Sequence, residues 1–147
     1  LVIYEFGGSD MRKYIWWILP LVLIFLLGCG PGDINADLGE RFTLAIGQRA
    51  DIKSESIGVK FVEVIGDSRC PQGVQCIWAG EASSVLEINH LGATYKKVLT
   101  QPSLTDPPQT DFFEYIITFD LQPYPKAGEE IKDKDYRLEL KIEKETN

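Results

Sequence analysis

From Phe113 to Leu121 every second residue is large and apolar: Phe113, Tyr115, Ile117, Phe119 and Leu121, with Glu114, Thr118 and Asp120 among the residues between them. A period of two places those side chains on one face of an extended strand, a pattern that a helix would scatter around its circumference. The chain closes in the same way. Tyr136, Leu138, Leu140 and Ile142 interleave with Arg137, Glu139, Lys141 and Glu143, the pattern of a half-buried strand with an ionic outer face. Phe42, Leu44 and Ile46 alternate up to Gly47, and Ala50 with Ile52 marks a shorter strand. In Val59 to Ile65, Phe61 shares its phase with Val59 while Val62 and Val64 take the other. Either both faces are covered or a bulge shifts the phase. Glu81 to Asn89 and Thr94 to Thr100 read as a hairpin turning through His90-Leu91-Gly92-Ala93. Gln101 to Asp111 is broken by prolines, and Gln122 to Asp135 is a long connection with Pro-Tyr-Pro near its start.

Beyond residue 40 no segment carries a capped helical stripe. About seven short strands separated by turn signals favour an all-β fold, an antiparallel β-sandwich of immunoglobulin-like size, with a small β-barrel as the competing architecture. The reading divides the chain into residues 1–10, an upstream extension; 11–28, an export signal; 29–40, a flexible tether rich in Gly, Asp and Asn; and a single domain over 41–147.

The signal is read from charge and hydropathy. Arg12 and Lys13 precede an apolar run from Tyr14 to Leu27, interrupted only by Pro20 and shorter than a spanning helix needs. Glu5 and Asp10 place negative charge ahead of that basic pair, which makes Met11 the expected start. The end of the run, Leu26-Leu27-Gly28-Cys29, resembles the lipobox of bacterial lipoproteins. The resemblance implies a diacylglyceryl thioether on Cys29, cleavage before it, and a membrane held through two or more acyl chains. It places the protein on the extracytoplasmic face of the cell membrane or the outer membrane. Gly30, where inner-membrane retention is associated with aspartate, favours the outer membrane in a cell that has two. An uncleaved N-terminal anchor, and a cleaved signal that leaves Cys29 free, remain the alternatives.

With Cys29 acylated, Cys70 and Cys76 are left as a pair in a compartment where disulfides form. The ring is small, so loop-closure entropy gives only ~2.4 kcal/mol and the bridge shapes a loop more than it holds a domain. The loop, Asp67 to Ala82, is DSRCPQGVQCIWAGEA. Pro71 and Gly73 suit a tight turn within the ring. Trp78 is expected to pack against the disulfide and seal one end of the sandwich, while Ala79 and Gly80 let backbone approach closely. Asp67 and Glu81 flank the loop as paired carboxylates that could perform acid–base work, but pairing of Arg69 with one of them is the preferred reading. Asp67, Arg69, Pro71, Gln72, Gly73, Trp78 and Glu81 form the candidate binding loop.

Arg69, Cys70, Pro71, Cys76, Trp78, Ala79 and Gly80 resemble the Arg-Cys-Pro…Cys-x-Trp-Ala-Gly signature of small secreted or lipid-anchored prokaryotic domains. Weaker likeness extends to Leu121, Pro123, Tyr124, Pro125 and the closing strand, covering roughly residues 42–143. The resemblance implies a β-rich secreted domain and no activity.

The residues themselves point away from catalysis. His90 is the only histidine, expected exposed in a turn, so a nucleophile–histidine triad lacks its usual base. Zinc would need reduced Cys70 and Cys76 beside His90. Glu129, Glu130, Asp133 and Asp135 lack calcium-loop spacing and have Lys132 and Lys134 among them. Phe112, Tyr115, Phe119 and Tyr124 read as core rather than pocket. A net charge of −7 argues against nucleic acid as a partner. The expectation is therefore a lipid-anchored binding or structural module with a protein partner in the envelope or at the cell surface, without cofactor or metal and not an enzyme. The alternative is a protease inhibitor presenting loop 70–76. Projection of Gln72 to Gln75 into solvent keeps the inhibitor open; folding over Trp78 would make the ring purely structural.

Overall fold

The computed structural model describes residues 32–103 and 106–145. The upstream extension, the export signal and the Leu26 to Cys29 motif lie outside the described residues. Nine strands follow in order: β1 (Ile34–Ala36), β2 (Arg41–Ala45), β3 (Arg49–Ile52), β4 (Ile57–Asp67), β5 (Glu81–His90), β6 (Ala93–Pro102), β7 (Gln109–Phe112), β8 (Tyr115–Gln122) and β9 (Arg137–Lys144). One sheet runs β1-β3-β4-β5-β6 and the other β2-β9-β8-β7. Every pairing is antiparallel except that of β1 with β3. The two sheets form a sandwich, and no closure into a barrel is found.

The alternating residues meet between the sheets. Val59, Phe61, Leu86, Ile88 and Leu99 from one sheet and Leu44, Ile117, Leu121, Leu138, Leu140 and Ile142 from the other are buried almost completely. Their interdigitation is the main apolar burial in the domain. β4 resolves its mixed phase with register shifts between Phe61 and Glu63 and between Val64 and Gly66. The bulges let Phe61 stay in the core while Ile65 emerges 59% exposed.

Three segments differ from the sequence reading. The tether expected over 29–40 gives way to β1 from Ile34, because Ala36 and, in part, Ile34 have apolar side chains that the core accepts. The alternation from Phe113 is cut by a turn: Phe112 pairs with Tyr115, and Phe113 sits between them with φ 52° and 61% exposed. The final residues of the proline-broken segment form β7, which pairs with β8 and buries Phe112. In the long connection the peptide before Pro123 is cis, and a single 3-10 turn, Asp133–Asp135, is the helical element. Among the described residues no helix is long and apolar enough to cross a membrane.

β4 runs from Ile57, paired with His90, to Asp67, paired with Ala82. The sandwich therefore has two distinct ends. The loop joining β4 to β5 occupies one. The β5–β6 turn at Leu91-Gly92 and the β7–β8 turn at Phe113-Glu114 occupy the other.

Candidate functional site

The loop leaves β4 at Asp67 and is fastened within two residues. Arg69 is 2% exposed, and all three nitrogens of its guanidinium donate. Its Nε donates to Asp67 Oδ1 at 2.9 Å and one terminal nitrogen to Asp67 Oδ2 at 2.6 Å. The other terminal nitrogen donates to the Leu121 carbonyl at 2.6 Å, while the Asp67-bound one also reaches the Pro123 carbonyl at 3.1 Å. The guanidinium lies 4.9 Å from the centre of the Tyr124 ring. A buried ion pair recovers its desolvation cost only with the help of further hydrogen bonds, and here two backbone carbonyls supply them. Tyr136 donates its hydroxyl to Asp67 Oδ2 at 3.2 Å. Burial pushes the Asp67 carboxyl up, but the Arg69 hydrogen bonds and charge outweigh it and hold the group below the ordinary carboxylate range. The Tyr136 hydroxyl is pushed up to about 12, by burial first and the Asp67 charge next.

The two flanks of the loop are then stitched together. Ser68 N–H donates to the Glu81 carbonyl at 2.8 Å, and Cys70 N–H to the Ala79 carbonyl at 3.0 Å. Ser103, buried beneath, accepts from Cys70 N–H at 3.0 Å and donates to the Ala79 carbonyl; its own N–H reaches the Gly80 carbonyl at 3.1 Å. Gly80 has φ 69°, and a Cβ there would stand 1.8 Å from the Ser68 carbonyl oxygen. Only glycine fits that crossing. The Cys70–Cys76 disulfide closes the ring with Cα atoms 5.9 Å apart. Gln72 N–H bonds the Pro125 carbonyl at 2.9 Å, tying the ring to the segment after β8.

Above this base the tip is open. Gln72, Gly73, Val74, Gln75 and Cys76 are exposed, and so are Ile77 at 92% and Trp78 at 83%. The expected packing of Trp78 over the disulfide does not occur. Arg69, stacked over Tyr124, is the buried side chain at this end of the loop, and Trp78 stays in solvent. Gln72 to Gln75 project into solvent rather than fold over Trp78. Their backbone is nonetheless a turn, with Val74 N–H bonded to the Pro71 carbonyl and Gly73 at φ 82°. From Cys70 to Gly80 no residue is charged.

Of the sequence candidates, Asp67, Arg69 and Pro71 line one open cleft of about 350 Å³ together with Glu129, Glu130 and Tyr136. Glu81 is exposed, and its backbone serves the stitch while Asp67 takes the arginine. Ser103, Gln101 and Tyr136 were not singled out by sequence reasoning. Gln101 is 5% exposed, accepts from Leu121 N–H at 2.6 Å and donates to Asp120. The only signal for it is an inward position on β6 next to Pro102.

At the opposite end, His90 is half-buried rather than a free turn residue. It lies among Phe112, Phe113 and Tyr115, with ring centres 5.3–5.9 Å away, and Tyr95 meets both phenylalanines edge-on. Tyr115 donates its hydroxyl to Glu55 at 2.8 Å. Phe112, Tyr115 and Phe119 are core, and Tyr124 underlies Arg69. Among the described residues no three His, Cys, Asp or Glu side chains group as metal ligands. The chain is thus a disulfide-stabilised all-β module with a braced, open loop. Compared with protein-family models, with curated proteins and with solved structures, it matches none.

Proposed function

We propose that the protein is a lipid-anchored, extracytoplasmic module of the cell envelope that works by docking through its braced loop, without catalytic chemistry of its own. The observation that carries this reading is the contrast within the loop: a base tied down by a buried ion pair and backbone hydrogen bonds holds an uncharged tip whose Ile77 and Trp78 stay in solvent. A surface that is already ordered loses little conformational entropy on contact, so even a small patch binds usefully. Large apolar side chains held out of a well-formed core are the kind of surface that marks interaction sites. The anchor rests on the Leu26 to Cys29 motif and the apolar run before it. Mass spectrometry of the protein isolated from its own cells tests the reading. The expected result is a peptide beginning at acylated Cys29, with Cys70 and Cys76 joined. Unacylated Cys29 with all three thiols reduced would overturn it.

Exposure of Gln72, Val74 and Gln75 supports a second reading, a protease inhibitor presenting loop 70–76. A substrate mimic must offer extended backbone to its protease, however, and here that backbone is turned at Gly73 and tied at Gln72. Docking fits the geometry better.

A further inference from the structure

We propose that the tip of the braced loop, Val74, Ile77 and Trp78, enters the interfacial zone of a lipid bilayer. The proposal rests on the anchored reading and says what the loop docks onto. Its first support is chemical. Ile77 and Trp78 are consecutive and almost wholly exposed, and Val74, three residues earlier in the same loop, is 48% exposed. Tryptophan is favoured at the boundary between headgroups and acyl chains, where its ring is apolar and its N–H is hydrated. The eleven residues from Cys70 to Gly80 carry no charge in a chain whose charged fraction is 25%. Such a tip can leave water without desolvating an ion.

The second support is the direction and reach of the chain. β1 runs parallel to β3 and points away from the loop end, so the polypeptide enters β1 from the loop's side of the domain. Cys29 is five residues before Ile34, a span of at most about 18 Å when fully extended. Ile34 is level with Ala50, which pairs with Val59. From Val59, level with Ile88, β4 continues through its two bulges to Asp67, level with Ala82; the six residues of β5 over that stretch make the rise about 20 Å before the loop begins. A bilayer that receives acyl chains on Cys29 is therefore closer to Ile34 than the loop tip is. With its strands near the membrane normal the domain cannot stand clear, and the tip is driven into the surface. The acidic charge of the domain makes a zwitterionic surface the better fit.

The test uses the full chain carrying Trp16→Phe and Trp17→Phe, which leaves Trp78 as its only indole, purified from membranes and reconstituted in phosphatidylcholine vesicles. Flotation reads anchoring. Trp78 fluorescence reads the tip, through quenching by lipids brominated close to the headgroup and by aqueous acrylamide. The expected result is co-flotation, strong quenching by the brominated lipid, several-fold protection from acrylamide, and loss of most of that protection in Ile77→Ser. Co-flotation with Trp78 fully open to acrylamide would overturn the insertion and leave the anchor standing. Protection from acrylamide without quenching by brominated lipid would assign the tip to a protein surface, a second copy included, and would also overturn it. Failure to float would remove the anchor, and the insertion with it.

Discussion

The two ends of the sandwich are closed by opposite means. At the loop end, polar groups are inside and apolar groups outside: Arg69 and Asp67 are buried, while Ile77 and Trp78 stand in water. At the aromatic end, Phe112 and Tyr115 are buried, His90 packs edge-on against both, and the charged pair Lys144–Glu114 lies on the surface. The aromatic end keeps its ion pair at the surface and packs rings against one another, with Phe113 and Leu91 exposed at its turns. The loop end buries its ion pair instead, and hydrogen bonds with fixed directions take the place of packing that tolerates small shifts. Directional bonds hold a protruding segment in one shape without needing its tip to be buried.

This contrast makes the loop end sensitive to changes that leave the other end untouched. Arg69→Met has the largest expected effect, a loss of about 3–5 kcal/mol in unfolding free energy by denaturant titration, since it strands a buried carboxylate and two carbonyls. Phe112→Ala at the aromatic end should cost a similar ~3–4 kcal/mol, and the double variant should show additive losses, as the sites share no partner. Strong coupling between them would break the idea of independent ends. Gly80→Ala should cost about 3 kcal/mol, because a Cβ would collide with the Ser68 carbonyl and the residue would be held at positive φ. Reduction of the disulfide should cost ~2.4 kcal/mol and raise amide exchange across the loop, leaving exchange near His90 unchanged.

Acid should act in the same selective way. The Asp67 carboxyl titrates below its unfolded value, so its contribution is complete above about pH 4 and is lost as pH falls through the depressed folded value. NMR titration should show the Arg69 side-chain and Cys70 amide signals moving below that pH, before those of Phe112. The smallest effect is the sharpest check on the tip. Ile77→Ser and Trp78→Ser should each change stability by no more than about 0.5 kcal/mol, because neither side chain is buried.

Much of the sandwich was legible in the sequence, because period-two alternation and turn residues are local signals. The β5–β6 hairpin, the mixed phase of β4 and the closing β9 are of this kind, as is the close approach at Gly80. Pairing of Arg69 with one of the flanking carboxylates was legible as well, though the choice of Asp67 over Glu81 was not. What escaped depended on distant partners. β1 has three residues and exists only because β3 offers an edge. The Phe113 turn is hidden because the alternation runs unbroken through it; the clue is the doubled aromatic, with Phe112 in one phase and Tyr115 in the other. Trp78 was expected to pack on the disulfide because it follows Cys76 by two residues, whereas this end of the sandwich holds Arg69 over Tyr124, the second of them contributed from beyond β8.

The parallel attachment of β1 has a mechanical side. A pull on the leading end of the polypeptide acts along the axis of β1, so its bonds to β3 are loaded in shear and must rupture together, instead of parting one by one as in a peeled hairpin. Burial of Ala36 at the far end of the strand adds a plug that has to be drawn out at the same moment. A domain moored by that end would thus take tension at a clamp, and the loop-bearing strands behind it would be spared the strain.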